Sequence, residues 1–407
     1  MHKFPIQVLI PVASVGAIAS PAWAQGVEFG HDAEFETVLV VSPGRSDAGE
    51  VNSETVLAGV YASLKGEAML SNGVEVGAKI TGGIDLDHPA RAGFSGVLGD
   101  GTLVDPSPLR GAFTGLSSGG TPEDIPAQGQ IEQGYVYVKF GHGEVRGGID
   151  RGVAARFFRG GPDVFEWSNT AEPRLDTSGV ASVITRPDLT GPSAKVTYTT
   201  PRLLGFRAGV SYTPQANRRG LDRDPARQVE GTIPFDLEHA VEVSANVSRP
   251  VKKLGARLRA SVSYSRANID QTDFEAQRAD FGPEFDRPNA VDVVTVGGSL
   301  EGEKLTVGGS WLTSSNGGGR YSAWNVGIGG KVEKAAGISG ANFNWSANYG
   351  QSRDDLTQIN GDTWSAGVGF EPKEWMKISL GAQGNGLESS TGRQTSIGPV
   401  IEMALKF

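Results

Sequence analysis

Apolar and polar residues alternate in short segments from residue 33 to the end of the chain. The clearest segment is 74–87, where apolar residues at even positions alternate with residues such as Glu75, Lys79 and Thr81. A period of two residues is typical of a β-strand with one apolar and one polar face. The pattern predicts strands at 33–41, 54–66, 73–87, 129–140, 145–150, 194–200, 206–214, 238–248, 255–268, 290–300, 304–313, 321–333, 341–352, 362–371, 376–387 and 393–407.

The connections between these strands alternate in length. Short turns such as 141–144 and 301–303 are followed by longer connections such as 151–193, 314–320 and 388–392. Short periplasmic turns and long extracellular loops are typical of outer-membrane barrels, which in bacteria have even strand numbers. The alternation of apolar and polar residues at 33–41 is weaker than elsewhere. We include this segment as the first strand because it gives the barrel an even number of strands. The sequence predicts an all-β fold, a transmembrane antiparallel β-barrel with 16 strands and an aqueous lumen.

The N-terminus resembles a secretory signal peptide. Lys3 gives a weakly basic start, residues 4–18 are mostly apolar, and Ala22-Trp23-Ala24 is a cleavage site of the A-x-A type. The apolar stretch is shorter than the roughly 20 residues that a membrane-spanning helix needs. We therefore expect residues 1–24 to be removed, which leaves 25–407 as a single barrel domain.

Composition narrows the possible partners. The chain has no cysteine, so no disulfide framework is available, and its formal net charge of −9 argues against nucleic acid as a partner. The histidines show no ligand spacing, and no cofactor is expected. Acidic pairs on predicted extracellular loops, Asp222/Asp224 and Asp354/Asp355, could bind Ca²⁺. Solvated loop charge is the simpler interpretation of both pairs.

The connection 151–193 is long and shows no strand or helix period. Loops of that length in compact domains are usually functional or disordered, and the mixed charges and aromatic residues here argue against disorder. The strand before it, 145–150, is short, whereas a membrane strand needs about 9–11 residues. We therefore expect this third long loop to leave the wall near mid-height, fold into the lumen and narrow a pore.

Four sequence features resemble the general diffusion porins of Gram-negative bacteria, in particular the alphaproteobacterial members. They are residues 131–138 (IEQGYVYV), 141–148 (GHGEVRGG), the hairpin 196–206 (VTYTTPRLLGF) and the terminal Phe407. The resemblance implies a sixteen-stranded barrel of the outer membrane, usually a trimer, with the third loop as a constriction. It also implies passive diffusion of ions and small hydrophilic solutes, and recognition of the last strand by the barrel-assembly machinery. One departure is that residues 25–32 are not predicted to begin the first strand.

A diffusion pore requires no catalytic group, but it requires a wet constriction whose charge and width select solutes. Inward-facing positions about five to seven residues from a short turn lie near mid-height in the membrane. On the wall this selects Lys79, Lys195, Glu242 and Arg259. The loop candidates are Asp163, Glu166, Glu172, Asp176, Arg156 and Arg159.

The resemblance implies basic wall residues that face loop carboxylates across the passage. On that basis we expect Lys79, Lys195 and Arg259 to face Asp163, Glu166 and Glu172. The structural alternative is that the loop charges pair with each other and hold the loop in place.

Aromatic residues near the strand ends are expected to form two girdles at the membrane interfaces. Phe206, Phe370 and Trp375 lie near short turns; Tyr212, Tyr264, Trp311 and Trp364 lie near long loops.

Other functions remain open at this point. A substrate-specific porin for sugars or anions would need an aromatic slide or a lumenal Arg/Lys ladder, and only Arg257 and Arg259 form a short basic row. A barrel enzyme would need a nucleophile and a base. No motif pairs His142 or His239 with a serine, so no enzymatic activity is expected. A barrel with a filled lumen, serving as an adhesin, is the remaining alternative.

Overall fold

The structure is a computed structural model. It describes residues 28–42, 45–46, 55–86, 111–113, 127–176, 178, 180–216, 236–270, 289–332, 342–390 and 392–407. The predicted signal peptide, 1–24, and the pair Asp222/Asp224 lie outside these residues.

Sixteen long strands form the wall of a closed barrel, in which each strand pairs antiparallel with the next. The first strand pairs with both the second and the last, which closes the barrel. A two-residue extension, Arg45–Ser46, also pairs with the last strand. The strands are β1 (Glu28–Ser42), β2 (Thr55–Met69), β3 (Glu75–Leu86), β4 (Ala127–Phe140), β5 (Gly143–Asp150), β6 (Ser193–Thr199), β7 (Phe206–Gln215), β8 (Leu237–Val251), β9 (Ala256–Ile269), β10 (Ala290–Glu301), β11 (Leu305–Ser314), β12 (Tyr321–Val332), β13 (Asn342–Asp354), β14 (Ile359–Lys373), β15 (Met376–Ser389) and β16 (Gly392–Lys406).

The predicted number of strands is confirmed, but the predicted start of β1 is wrong. The strand begins at Glu28 rather than at residue 33, because residues 28–32 pair with Met69 to Lys65 of β2. Residues 28–32 carry charges and a glycine without an apolar face, so periodicity could not reveal this pairing.

The alternation of short and long connections is not strict. The predicted long connection at 388–392 has only residues 390 and 391, because β15 and β16 remain paired up to Ser389 and Gly392. The connection after β13 is also short, with residues 355–358 between Asp354 and Ile359.

The two faces of the wall differ in polarity. Outward-facing Val136, Val196 and Val262 are 64%, 57% and 50% exposed, whereas inward-facing Thr197 and Ser265 are 1% and 0% exposed. A barrel with an apolar outer wall and a polar lumen suits a membrane. In the part of the chain that the structure describes, no helix is long and apolar enough to cross a membrane.

Outward aromatic side chains lie at both rims, where the girdles are predicted. At the short-turn rim, Trp375 stacks on Phe407 with ring centroids 5.8 Å apart. At the long-loop rim, Trp324 packs edge-on against Tyr349 at 5.7 Å, and Trp311 is 43% exposed.

Candidate functional site: the loop inside the barrel

The third long connection turns into the lumen directly after β5. The short helix α1 (Val153–Phe157) is buried on Val153, Ala154, Ala155 and Phe157. The Val153 backbone N–H donates to Ser211 Oγ on β7 at 2.8 Å, and that of Arg159 donates to Ser261 Oγ on β9 at 2.9 Å. The chain therefore runs along the inner wall from its first turn.

The same segment then follows the wall to the last strand. The Val164 N–H donates to Ser346 Oγ on β13 at 2.9 Å, and its carbonyl accepts from Ser379 Oγ on β15 at 2.7 Å. On β16, Glu402 accepts the backbone N–H groups of Glu166, Trp167 and Ser168 at 2.7, 3.1 and 3.1 Å.

A return path leads back to β6 along the same wall. Tyr321 Oη on β12 accepts from the Ile184 N–H and donates to the Ser182 carbonyl, both at 2.8 Å. Ser310 Oγ on β11 donates to Thr185 Oγ1 at 2.7 Å. The predicted inward fold is confirmed, and we name residues 151–192 the inner belt.

Glycines on the wall let the belt lie directly against the strands. A β-carbon at Gly297 would lie 2.1 Å from the Arg159 carbonyl oxygen, and one at Gly361 would lie 1.8 Å from Ser182 Oγ. Real Cβ atoms do not approach other atoms so closely. Gly297 therefore lets the belt backbone approach the strand closely, whereas a β-carbon at Gly361 would require the Ser182 hydroxyl to move.

Two apolar clusters hold the belt to the wall. In the first, Phe165, Trp167 and Leu175 pack with inward residues of β16, β1 and β2, and Trp167 stacks on Tyr61 at 4.7 Å. In the second, belt residues including Ile184 pack against the long-loop ends of β8–β12, where Phe113 stacks on Tyr321 at 5.7 Å. Burying a large apolar side chain is worth about 1.5–3 kcal/mol, so the belt is an integral part of the fold.

A cluster of charges joins the far end of the belt to its own beginning. Arg151 lies 3.5 Å from Glu132 of β4, 3.8 Å from Glu172 and 3.3 Å from Asp188. Arg174 reaches the same Glu132 at 3.1 Å. We name this cluster the clasp; its members are Glu132, Arg151, Glu172, Arg174, Arg186 and Asp188.

The clasp is electrostatically tight. Burial opposes the charge on Arg151, but the carboxylates of Asp188, Glu172 and Glu132 more than offset it and raise the pKa of this guanidinium. Arg174 also lies over the rings of Tyr61 and Trp167, at 5.0 and 4.7 Å from their centroids. The clasp therefore closes the belt into a ring.

Several of the loop charges selected from the sequence hold the belt in place instead of facing the passage. Asp163 accepts from the N–H groups of Phe165 and Thr170, both at 3.1 Å, and burial raises the pKa of its carboxyl to about 7. Asp176 accepts from the backbone N–H of Ser178 at 2.9 Å. Glu172 belongs to the clasp. No sequence pattern signals these local contacts, since they lie in a segment without a period.

Other loop candidates differ in their exposure. Glu166 is 60% exposed, with Lys377 at 3.3 Å. Arg156 lies 3.7 Å from Glu144 and 3.8 Å from Asp150, and burial lowers its pKa. The Arg159 guanidinium donates to the Phe158 carbonyl at 3.0 Å.

Two of the four wall candidates do not reach the passage. Lys195 is 4% exposed and Glu242 is 0% exposed. Lys195 Nζ donates to the carbonyls of Asp150 and Gly191, which brings the two ends of the belt together. Glu242 lies against Gly152. The expectation that both face solutes is corrected, because alternation assigned the inward face correctly but could not show that the belt covers it.

The other two wall candidates are open to the lumen. Lys79 lines a cavity of about 240 Å³, together with Glu34, Glu36 and Trp167. Arg259 is 44% exposed and pairs with Glu301 at 3.0 Å. Glu34 and Glu36 were not selected from the sequence, although their inward alternation on β1 could have revealed them.

The predicted calcium candidates on the described loop are engaged by protein groups. Asp354 Oδ1 accepts from Asn316 Nδ2 and from the Leu356 N–H, both at 3.0 Å. Asp355 pairs with Arg353 at 2.6 Å. Within the described ranges no group of three or more His, Asp or Glu side chains is placed to hold a metal ion.

A closed barrel with an apolar outer wall, a polar lumen and an internal loop defines a membrane-spanning channel protein. Residues 12–371 match the sequence model for "Gram-negative porin", and the chain belongs to this family. It is therefore an outer-membrane protein that forms a channel for passive diffusion. The family and the fold indicate a channel rather than an enzyme.

Solved porins share this fold at low sequence identity. The anion-selective porin from Comamonas acidovorans is 13% identical, with 93% of this chain and 100% of that chain covered and a TM-score of 0.54. Pseudomonas putida OprB, at high pH, is 10% identical over 93% and 94%, with a TM-score of 0.59. Salmonella typhi OmpF with daunomycin is 10% identical over 93% and 97%, with a TM-score of 0.56. A comparison with curated proteins found no match.

Proposed function

We propose that the inner belt narrows the channel and that charges on two sides of the lumen select the solutes. The observation that carries this proposal is the bonding of the belt to inward-facing residues from β7 round to β16. A loop held in this way reduces the open cross-section along most of the circumference. Ions and small hydrophilic solutes then pass through the space that the belt leaves.

The charges are distributed unevenly around the lumen. Arg159 of the belt and Arg259 of β9 lie on one side. On the other side Glu34, Glu36 and Glu166 lie near β16 and β1 together with Lys406, Lys377 and Lys79, so both signs of charge are present there. Opposed charges in a narrow passage act more strongly than in bulk water. The belt contributes a positive charge, Arg159, to one side and a negative charge, Glu166, to the other. The resemblance implied that it would contribute only carboxylates.

Reversing the charge of Lys79 tests whether the cavity beside it belongs to the passage. In Lys79→Glu we expect the cation-to-anion permeability ratio to rise about two- to fivefold, the effect of two charge units at about 8 Å in a watery channel whose salt screens them. Reversal potentials of single channels in a KCl gradient measure this ratio. Arg266→Glu makes the same charge change on an exposed residue of the outer wall and should leave the ratio unchanged; equal ratios in both variants would place Lys79 outside the passage.

We further propose that the barrel forms a trimer through the outer face of β1–β6. Among the described outward positions of these strands, none at the long-loop rim is aromatic, whereas Tyr212, Tyr264 and Trp311 are exposed there on β7–β11. Interfacial aromatic residues normally mark contact with lipid headgroups. Their absence from one face supports its burial against other copies. The trimer form of Vibrio cholerae OmpT has a similar fold, with a TM-score of 0.51.

Substitution of a small residue on this face tests the proposed contact. We expect Ala62→Trp to abolish the oligomer, because the added indole prevents close packing of two walls. Oligomeric state in detergent by analytical ultracentrifugation measures the effect. Ala366→Trp, on the outer face of β14, is the matched control and should leave the oligomer intact. An Ala62→Trp variant that remains a trimer would contradict this interface.

The end of the chain supports recognition by the barrel-assembly machinery, which we also propose. Phe407 exchanges two backbone hydrogen bonds of 2.8 Å with Phe35, so the last residue is part of the barrel seam.

A further inference from the structure

Five arginines lie together on the lumen side of β7–β9, towards the short-turn rim. Arg207, Asn246 and Ser261 occupy one row across β7, β8 and β9, and Ser248 and Arg259 occupy the next row. We name the group the arginine face; its members are Arg159, Arg202, Arg207, Arg257 and Arg259.

The belt and a turn complete this face. The Arg159 backbone N–H donates at 2.9 Å to Ser261 Oγ, which belongs to the same row as Arg207. Arg202, from the turn between β6 and β7, donates to Asn246 Oδ1 at 2.9 Å. Three separate parts of the chain therefore bring guanidinium groups to one region of the wall.

The positive charge of the face exceeds the negative charge around it, where Glu301 lies opposite Arg257 on β10. Arg259 pairs with Glu301 at 3.0 Å. The other four arginines have no carboxylate within 4 Å among the residues that the structure describes. They donate instead to neutral oxygens, such as Thr199 Oγ1 for Arg207 at 2.7 Å and Ser248 Oγ for Arg257 at 3.5 Å.

The arginines also act on one another. Burial, followed by the positive charges of Arg259 and Arg202, lowers the pKa of Arg159. Like charges at close range destabilise a fold, and such arrangements cluster at functional sites. In the clasp, carboxylates surround the buried Arg151, whereas positive charge is in excess on the arginine face and requires a different explanation.

Each guanidinium keeps donors in reserve. An arginine carries five N–H donors in a planar fork that matches the oxygens of phosphate or carboxylate. Arg202 uses two of its terminal nitrogens, for Gly205 and Asn246, and Arg159 uses one, for Phe158. The remaining donors face a lumen in which Arg202 and Arg257 are exposed.

We propose that the arginine face is a binding site for oxyanions, namely the phosphate, sulfate or carboxylate group of a small solute on its way through the channel. The inference rests on the proposed function, since the solute must enter the passage. Charge-assisted hydrogen bonds to such groups are among the stronger ones in proteins. The site gives a diffusion channel a saturable preference for one class of solute.

Titration of single-channel current with inorganic phosphate tests this proposal. In KCl we expect phosphate to reduce the chloride current of the wild type in a saturable manner. In the double variant Arg159→Gln/Arg202→Gln the half-blocking concentration should rise at least about tenfold, because one charged hydrogen bond is worth about 1.5–3 kcal/mol and 1.4 kcal/mol is tenfold. Arg353→Gln, on the outer wall, should behave as the wild type.

The outcomes separate the two proposals. Normal KCl conductance without saturable phosphate block, or a block that the double variant leaves unchanged, would overturn the oxyanion site and leave diffusion intact. Absence of conductance in the folded wild type would overturn the channel itself. If the double variant does not fold, Arg257→Gln, whose side chain donates to Ser248 among the described residues, should weaken the block about threefold; an unchanged block there would equally overturn the site.

Discussion

Replacing Arg151 by methionine is expected to open the clasp and release the far end of the inner belt. Methionine keeps much of the side-chain volume, but the buried carboxylates of Glu132, Glu172 and Asp188 lose the guanidinium that neutralises them. Removing one partner of such a cluster costs about 3–5 kcal/mol. Because the cost falls on the belt, we expect larger and noisier single-channel steps while the barrel remains assembled.

Limited proteolysis provides a second measurement on the same variant. A released belt should be cleaved within 164–190 under conditions in which the wild-type belt is protected, since proteolysis follows local opening. Arg393→Met removes an ion pair with Asp362 on the exposed outer wall and is the matched control. Steps and cleavage identical to the control would show that the clasp does not hold the belt.

Valine in place of Gly297 is expected to push the belt away from the wall and reduce conductance. The β-carbon would lie 2.1 Å from the Arg159 carbonyl oxygen, a backbone atom that cannot rotate aside. Overpacking of this kind costs about 1–3 kcal/mol. The displaced belt then occupies part of the remaining opening, and single-channel conductance should fall measurably without loss of the folded barrel.

Ala366 offers a control on the outer wall, away from the proposed interface on β1–β6. It is exposed on β14, so Ala366→Val should keep wild-type conductance. Equal conductance in both variants would mean that the belt at Arg159 does not limit the current.

The barrel could be predicted from the sequence because each strand carries its own signal. Alternation in 74–87 or 255–268 reports a lipid-facing row without reference to any other part of the chain. The short β5 also carried information, since a strand that ends at Asp150 cannot cross the membrane and its continuation must leave the wall.

The site could be predicted only in part, because its contacts join distant residues of an irregular segment. Periodicity places Lys195 and Glu242 on the inner face, but it cannot show that 151–192 covers them. The clasp joins Glu132 to Arg174 across a segment with no repeating pattern. The neighbour of Gly297, the Arg159 carbonyl, is likewise defined only by the folded belt.

Single-channel conductance of the refolded mature chain in planar bilayers, with reversal potentials in a salt gradient, tests directly whether the barrel is an open channel. We predict large, stable, ohmic steps that occur in threes, as expected for a trimeric channel narrowed by the inner belt. Absence of conductance from correctly folded protein would contradict an open channel and would indicate a barrel that the belt closes completely.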